Sequence, residues 1–97
     1  MVYVDDARIG YGRMKMSHML ADTPDELHAM AQRIGVARRH YQLAVSAPHY
    51  DICVRARADA LEFGAKAVQS RDLVPLMRAI RATRVAAVQA GQPDPWA

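Results

Sequence analysis

Thr23-Pro24-Asp25-Glu26-Leu27-His28-Ala29-Met30-Ala31-Gln32-Arg33-Ile34-Gly35 is the stretch from which the rest of the chain can be organised. Thr23 is an N-cap residue, Pro24 suits the first helical position, and Glu26 stands three residues after the cap, the spacing of a capping box. Asp25 and Glu26 place negative charge at the positive end of the helix dipole. Leu27, Met30, Ala31 and Ile34 recur at helical spacing, and Gly35 stops the helix. Immediately upstream, Met14 to Leu20 alternates instead of turning. Met14, Met16, His18 and Leu20 fall on one face and Arg13, Lys15 and Ser17 on the other, so this stretch is a half-buried strand. A strand leading directly into a capped helix places the chain among the α/β proteins.

Working outward, Val2-Tyr3-Val4 forms a first short strand, and Gly10 and Gly12 mark a loop from Arg8 to Arg13. Beyond Gly35, residues Val36 to Gln42 predict a polar strand, Leu43 to Pro48 a loop, and His49 to Phe63 a helix stopped by Gly64. Ala65 to Gln69 predicts a short strand. Asp72 then caps a last helix with Leu73, Leu76, Met77 and Ile80 as its apolar stripe, because Pro75 fits only near a helix start. The expectation is a small α/β domain of two or three layers, in the order β-β-α-β-α-β-α. Alternating strands and helices imply a mostly parallel sheet. Residues 1–90 form the single domain and 91–97 a flexible tail, with Trp96 docked on a partner or exposed.

The 97 residues are 52% hydrophobic and 24% charged, the composition of one globular domain. A core this small buries a limited area, so a homo-oligomer is expected. No apolar run reaches the length of a membrane helix, the start of the chain is acidic, and Cys53 is the single cysteine. These features predict a cytoplasmic protein with no membrane partner. The net charge is +3, and Lys15 and Lys66 are the only lysines among thirteen basic residues. A GC-rich genome accounts for that bias; so does recognition of phosphate or carboxylate by arginine forks. Arg71, Arg78, Arg81 and Arg84 make the last helix basic, yet no nucleic-acid-binding motif accompanies them, so nucleic acid has little support.

In parallel sheets, ligands sit beyond the strands' carboxyl ends, here near Asp22, His49-Tyr50-Asp51 and Ser70-Arg71-Asp72. His49 suits acid–base work near neutral pH, with Asp51 fixing its tautomer; the plain alternative is a helix cap with Tyr50 packed. Arg13, in a glycine loop, suits closure over an anion, and one of Arg55 and Arg57 can reach the His49 region. Arg8, Arg13, His18, Asp22, His49, Tyr50, Asp51 and Arg55 are therefore the ligand-binding candidates. His18, on an apolar strand face, fits a core histidine bonded to a carbonyl. It equally fits a metal ligand, should it meet His49 and a carboxylate of Asp5, Asp6 or Asp22. No covalent nucleophile, catalytic residue or cofactor is specified by the sequence.

Several strings come in a particular order: Val4-Asp5-Asp6-Ala7-Arg8, Tyr11-Gly12-Arg13-Met14, His18-Met19-Leu20-Ala21-Asp22, Leu27-His28-Ala29-Met30-Ala31, Arg33-Ile34-Gly35, Pro48-His49-Tyr50-Asp51-Ile52 and Gly64-Ala65. Over residues 1 to 70 the chain resembles the domain-of-unknown-function family 4031, short proteins of bacteria and their phages. The last helix lies outside that resemblance, and Gly10 stands where the family's wording has proline. The resemblance implies no catalytic assignment. It directs attention to the polar residues within its motifs: Asp5, Asp6, Arg8, Arg13, His18, Asp22, His49, Tyr50 and Asp51. The leading expectation is binding of an anionic, nucleotide-like ligand, in a phage setting to sequester it. The alternatives are a metal-dependent phosphoester hydrolase or nuclease using His18, His49, Asp5 and Asp6, and a dimeric interaction module without a small-molecule site.

Overall fold

A computed structural model describes residues 1–43 and 47–97. Six strands and three helices follow in the order β1 (Val2–Val4), β2 (Ile9–Tyr11), β3 (Met14–Ala21), α1 (Pro24–Arg33), β4 (Tyr41–Gln42), β5 (His49–Cys53), α2 (Val54–Glu62), β6 (Lys66–Ala67) and α3 (Leu73–Gln89). The sheet runs β4-β5-β3-β1-β6, with β2 also paired to β3.

The expected α/β class is present, but the mostly parallel sheet is corrected: among the described residues β1–β6 is the single parallel pairing, and the other four are antiparallel. The cause lies in the stretch expected to be a loop. Ile9–Tyr11 pairs with Met14–Met16 as a hairpin whose two-residue turn is Gly12-Arg13. Gly12 supplies the positive φ of 60° that such tight turns require. β1 then lies on the same side of β3 as β2, further along it, so β1 and β2 act as one strand broken at residues 5–8. Arg8, at φ 50°, carries the chain back into register.

Two further expectations are corrected. His49–Phe63 is not one helix, because His49–Cys53 is a strand in which Tyr50 and Ile52 are buried while their neighbours are half-buried. Helix α2 begins only at Val54. Val36–Gln42 is not a full strand either: Arg38–His40 form a single 3-10 turn, and pairing is confined to Tyr41 and Gln42. Three consecutive exposed polar residues offer no face to bury there. The loop expected at 43–48 lies partly outside the described residues.

Helix α1 starts where the sequence places it. The Thr23 hydroxyl accepts from the Glu26 N–H at 3.3 Å and donates to its carboxylate at 2.9 Å. Glu26 thus bonds the cap's side chain instead of its backbone N–H, a variation on the expected box. Both α1 and α2 end with a glycine at positive φ, Gly35 and Gly64. The N–H groups of Val36 and Ala65 reach back to Ala31 and Ala60, which closes the orphan carbonyls. Thr23→Ala is expected to cost about 1 kcal/mol of stability, read from the midpoint of a urea melt.

The register divides the sheet into two faces. Val2, Val4, Ser17, Met19, Ala21, Tyr50 and Ile52 share one, all buried. Leu27 and Ala31 of α1 and Ala56 and Ala60 of α2 complete this core. The other face carries Leu20, His18, Asp51 and His49, with Leu73 and Met77 of α3 beside them. Trp96, expected exposed or docked on a partner, is buried within the chain: it is 2% exposed, Tyr41 Oη donates to its carbonyl at 2.6 Å, and Arg84 pairs with Asp94 at 3.0 Å. Among the described residues, no helix is long and apolar enough to cross a membrane.

Candidate functional site

Asp51 lies directly opposite His18 across the β3–β5 ladder. His49 stands two residues before Asp51 on the same strand, and therefore on the same face. Pleat and register thus bring three ligand-type side chains to one point. His49 Nε2 is 3.2 Å from Asp51 Oδ1, and His18 Nε2 is 3.8 Å from the same oxygen. The two imidazole rings meet edge to face with centroids 5.2 Å apart. One ligand atom from each of the three residues lies within 4.8 Å of the others. For comparison, ligands about 2.1 Å from a tetrahedral zinc stand roughly 3.4 Å from each other.

The second nitrogen of each histidine is already committed. His49 Nδ1 lies 2.9 Å from the Ala47 carbonyl. A carbonyl only accepts, so Nδ1 carries a proton, and in the neutral ring Nε2 is the lone pair. His18 Nδ1 lies 2.7 Å from Asp5 Oδ2, which leaves His18 Nε2 in the same state. Asp51 is fixed as well, since Gln42 Nε2 donates to its Oδ2 at 2.6 Å and leaves Oδ1 to the cluster. Outer partners that set tautomer and direction in this way are what orient metal-binding histidines.

Asp5 is held by several partners at once. It is fully buried (0% exposed) at the break between β1 and β2. Its N–H donates to the His18 carbonyl at 3.1 Å. The return bond from the His18 N–H goes to Asp5 Oδ1 at 2.8 Å instead of to the Asp5 carbonyl. That carbonyl turns away to accept from Arg57 Nε at 2.7 Å. The Ala7 N–H and the Ser70 hydroxyl complete the carboxylate's partners at 3.2 and 3.1 Å. Burial pushes the Asp5 carboxyl up, but bonds from the His18 N–H, the His18 ring and the Ala7 N–H outweigh it and hold the pKa below its ordinary value. The carboxylate is therefore ionised at neutral pH.

The expected candidates separate into distinct regions. His18, His49 and Asp51 come together. Asp5 backs His18 from behind. Asp6 Oδ1 accepts from the Ser70 N–H at 3.3 Å and is not part of the cluster. Asp22 binds Tyr3 Oη at 3.2 Å near the far end of β3. Tyr50 faces the opposite side of the sheet, where its hydroxyl and His28 Nδ1 are 2.8 Å apart. Arg13 is at the hairpin tip, Arg8 is exposed before β2, and Arg55 is exposed at the start of α2. Of the two arginines weighed together, Arg57 is the one tied to this region. It shares a 510 Å³ crevice with Arg71, Asp6 and Asp72, off the carboxyl end of β6. The supporting roles of Gln42, the Ala47 carbonyl, Arg57 and Ser70 have no signature in the sequence; the one available signal was His-x-Asp at strand spacing.

A family model described as "Protein of unknown function (DUF4031)" matches residues 2–80, which extends the resemblance into α3 as far as Ile80. No curated protein and no solved structure matches the chain. The family match spans well over half of the 97 residues, and the chain belongs to the DUF4031 family.

Proposed function

We propose that this protein is a metal-dependent phosphoester hydrolase whose cation is held by His18, His49 and Asp51. The observation that carries the reading is the 3.2 Å approach of His49 Nε2 to Asp51 Oδ1, with His49 Nδ1 already bonded to a carbonyl. A lone pair and a carboxylate oxygen face each other there, and only a cation between them, proton or metal, makes the contact favourable. A second lone-pair nitrogen, from His18, converges on the same oxygen, which suits a metal better than a proton. Three protein ligands leave coordination positions open, as catalytic sites do and closed structural sites do not. A divalent cation there supplies Lewis-acid polarisation of a phosphoryl oxygen and a water activated near neutral pH.

The chain's own residues do the rest. Asp5 and the Ala47 carbonyl hold both Nε2 lone pairs forward, and Gln42 aims Asp51. The phosphoester class is supported by the Arg57–Arg71 crevice just beyond the Asp5–Ser70 contact. Its acids are engaged inward, Asp6 with Ser70 and Asp72 with the Gln69 N–H, whereas Arg71 has no carboxylate within ion-pair distance among the described residues. The same crevice favours a second reading, in which a nucleotide-like anion is held without turnover.

Turnover of p-nitrophenyl phosphate and bis(p-nitrophenyl) phosphate separates the two readings. Hydrolysis that requires added Mn²⁺ or Zn²⁺ and stops with a chelator is the expected result. Metal binding with neither ester cleaved overturns the hydrolase and leaves the anion-binding reading standing.

A further inference from the structure

Between α3 and the His18 face of the sheet is a cavity of 260 Å³, lined by Asp5, His18, Leu20, Ala47, His49, Ser70, Leu73 and Met77. That is about nine times the ~30 Å³ share of a water molecule in the liquid, room for one ring system. Two of the three proposed metal ligands, His18 and His49, form part of its wall. Among the described residues, the remaining polar lining is spent: the Asp5 carboxylate has partners on both oxygens, and the Ser70 hydroxyl donates to it. What faces an occupant is the apolar surface of Leu20, Ala47, Leu73 and Met77, with Met77 half-buried and able to adjust its shape.

A sugar or a second phosphate entering here would lose its hydration without finding donors. We infer that this cavity receives an apolar, ring-sized group esterified to the phosphate bound at the metal. The substrate is then a compact phosphoester, anionic at one end and apolar at the other. This rests on the hydrolase reading and names its substrate class.

The full chain loaded with Mn²⁺ or Zn²⁺ is compared on benzyl phosphate and methyl phosphate, whose leaving alcohols are of nearly equal acidity. Benzyl phosphate is expected to have a kcat/KM at least about tenfold higher, the scale on which filling an apolar pocket discriminates. Met77→Trp, which fills the cavity, is expected to erase that advantage. Equal kcat/KM for the two esters in the wild type, or equal losses on both in the variant, overturns the inference. Should Met77→Trp fail to fold, Met77→Ala enlarges the cavity and is expected to shift preference toward 1-naphthyl phosphate; an unchanged preference counts against the pocket. Where no ester is turned over at all, the hydrolase reading fails by itself. The pocket is then judged by binding of phenylphosphonate against methylphosphonate to the metal-loaded protein: about tenfold tighter phenyl binding supports it, and equal binding overturns it.

Discussion

Replacing His49 with alanine is expected to abolish tight binding of Zn²⁺ or Mn²⁺ while leaving the protein folded. The ring lies on the sheet face away from the Val4–Met19–Tyr50 core, and among the described residues its one bond outside the cluster is to the Ala47 carbonyl. Its loss therefore leaves that core intact, at some packing cost on the α3 side where the ring is 13% exposed, and it removes one of three ligands and the tightest contact of the cluster. The fall in affinity should exceed the roughly 10–100-fold that loss of an outer partner causes. Isothermal titration calorimetry with circular dichroism as a fold control reads both parts. A folded His49→Ala protein that binds metal as tightly as the wild type would falsify the assignment of this ligand.

The second large effect is expected at Asp5, and it is an effect on stability. Asp5→Ala strips the acceptor from the His18 N–H, the Ala7 N–H, the His18 ring and the Ser70 hydroxyl at once, in a fully buried position. Removing one partner of a buried charged network costs about 3–5 kcal/mol, a large part of the total stability of a small domain. Asp5→Asn keeps the volume and some of the bonds, so it should fold. It weakens the hold on His18 and lowers metal affinity by about 10–100-fold.

The pH dependence follows from the same bonds. The folded-state pKa of Asp5 lies below its unfolded value, so its stabilisation is complete above the ordinary value of 3.8 and is lost as pH falls through the lowered one. Urea melts of the wild type should therefore lose stability steeply in acid, and Asp5→Asn should flatten that part of the curve. An unchanged acid limb in Asp5→Asn would show that other carboxylates set it.

Much of the local structure was legible in the sequence. Thr23-Pro24-Asp25-Glu26 marks the start of α1 and Gly35 its end, because capping and left-handed backbone are matters of neighbouring residues. Strand β3 was legible from its alternation. Strand direction was not, because alternating elements fit a parallel sheet until the hairpin is recognised. Gly10 and Gly12 mark a loop by composition, yet a single glycine at φ 60° in a two-residue turn leaves Ile9–Tyr11 free to pair. Asp51 resembles a helix cap, which draws His49–Cys53 into the helix that follows; the burial of Tyr50 and Ile52 on the core face makes it a strand.

The candidate site divides the same way. His18, His49 and Asp51 were all named from residue type, but their meeting depends on register, and Asp51 opposite His18 is a long-range fact. Asp5 was named as a ligand and stands one step behind, because the β1–β2 break turns its carboxylate onto the His18 backbone and ring together. Arg8, Arg13 and Arg55 share a charge with Arg57 and differ from it in where the fold leaves them.

The most direct test of the metal cluster is calorimetric titration of Zn²⁺ into chelator-treated protein at neutral pH, for the wild type and for His18→Ala, Asp51→Ala and Arg13→Ala. One equivalent bound by the wild type and by Arg13→Ala, and lost in both cluster variants, is the predicted result. Binding that survives in His18→Ala and Asp51→Ala, or no binding to the wild type, would contradict it.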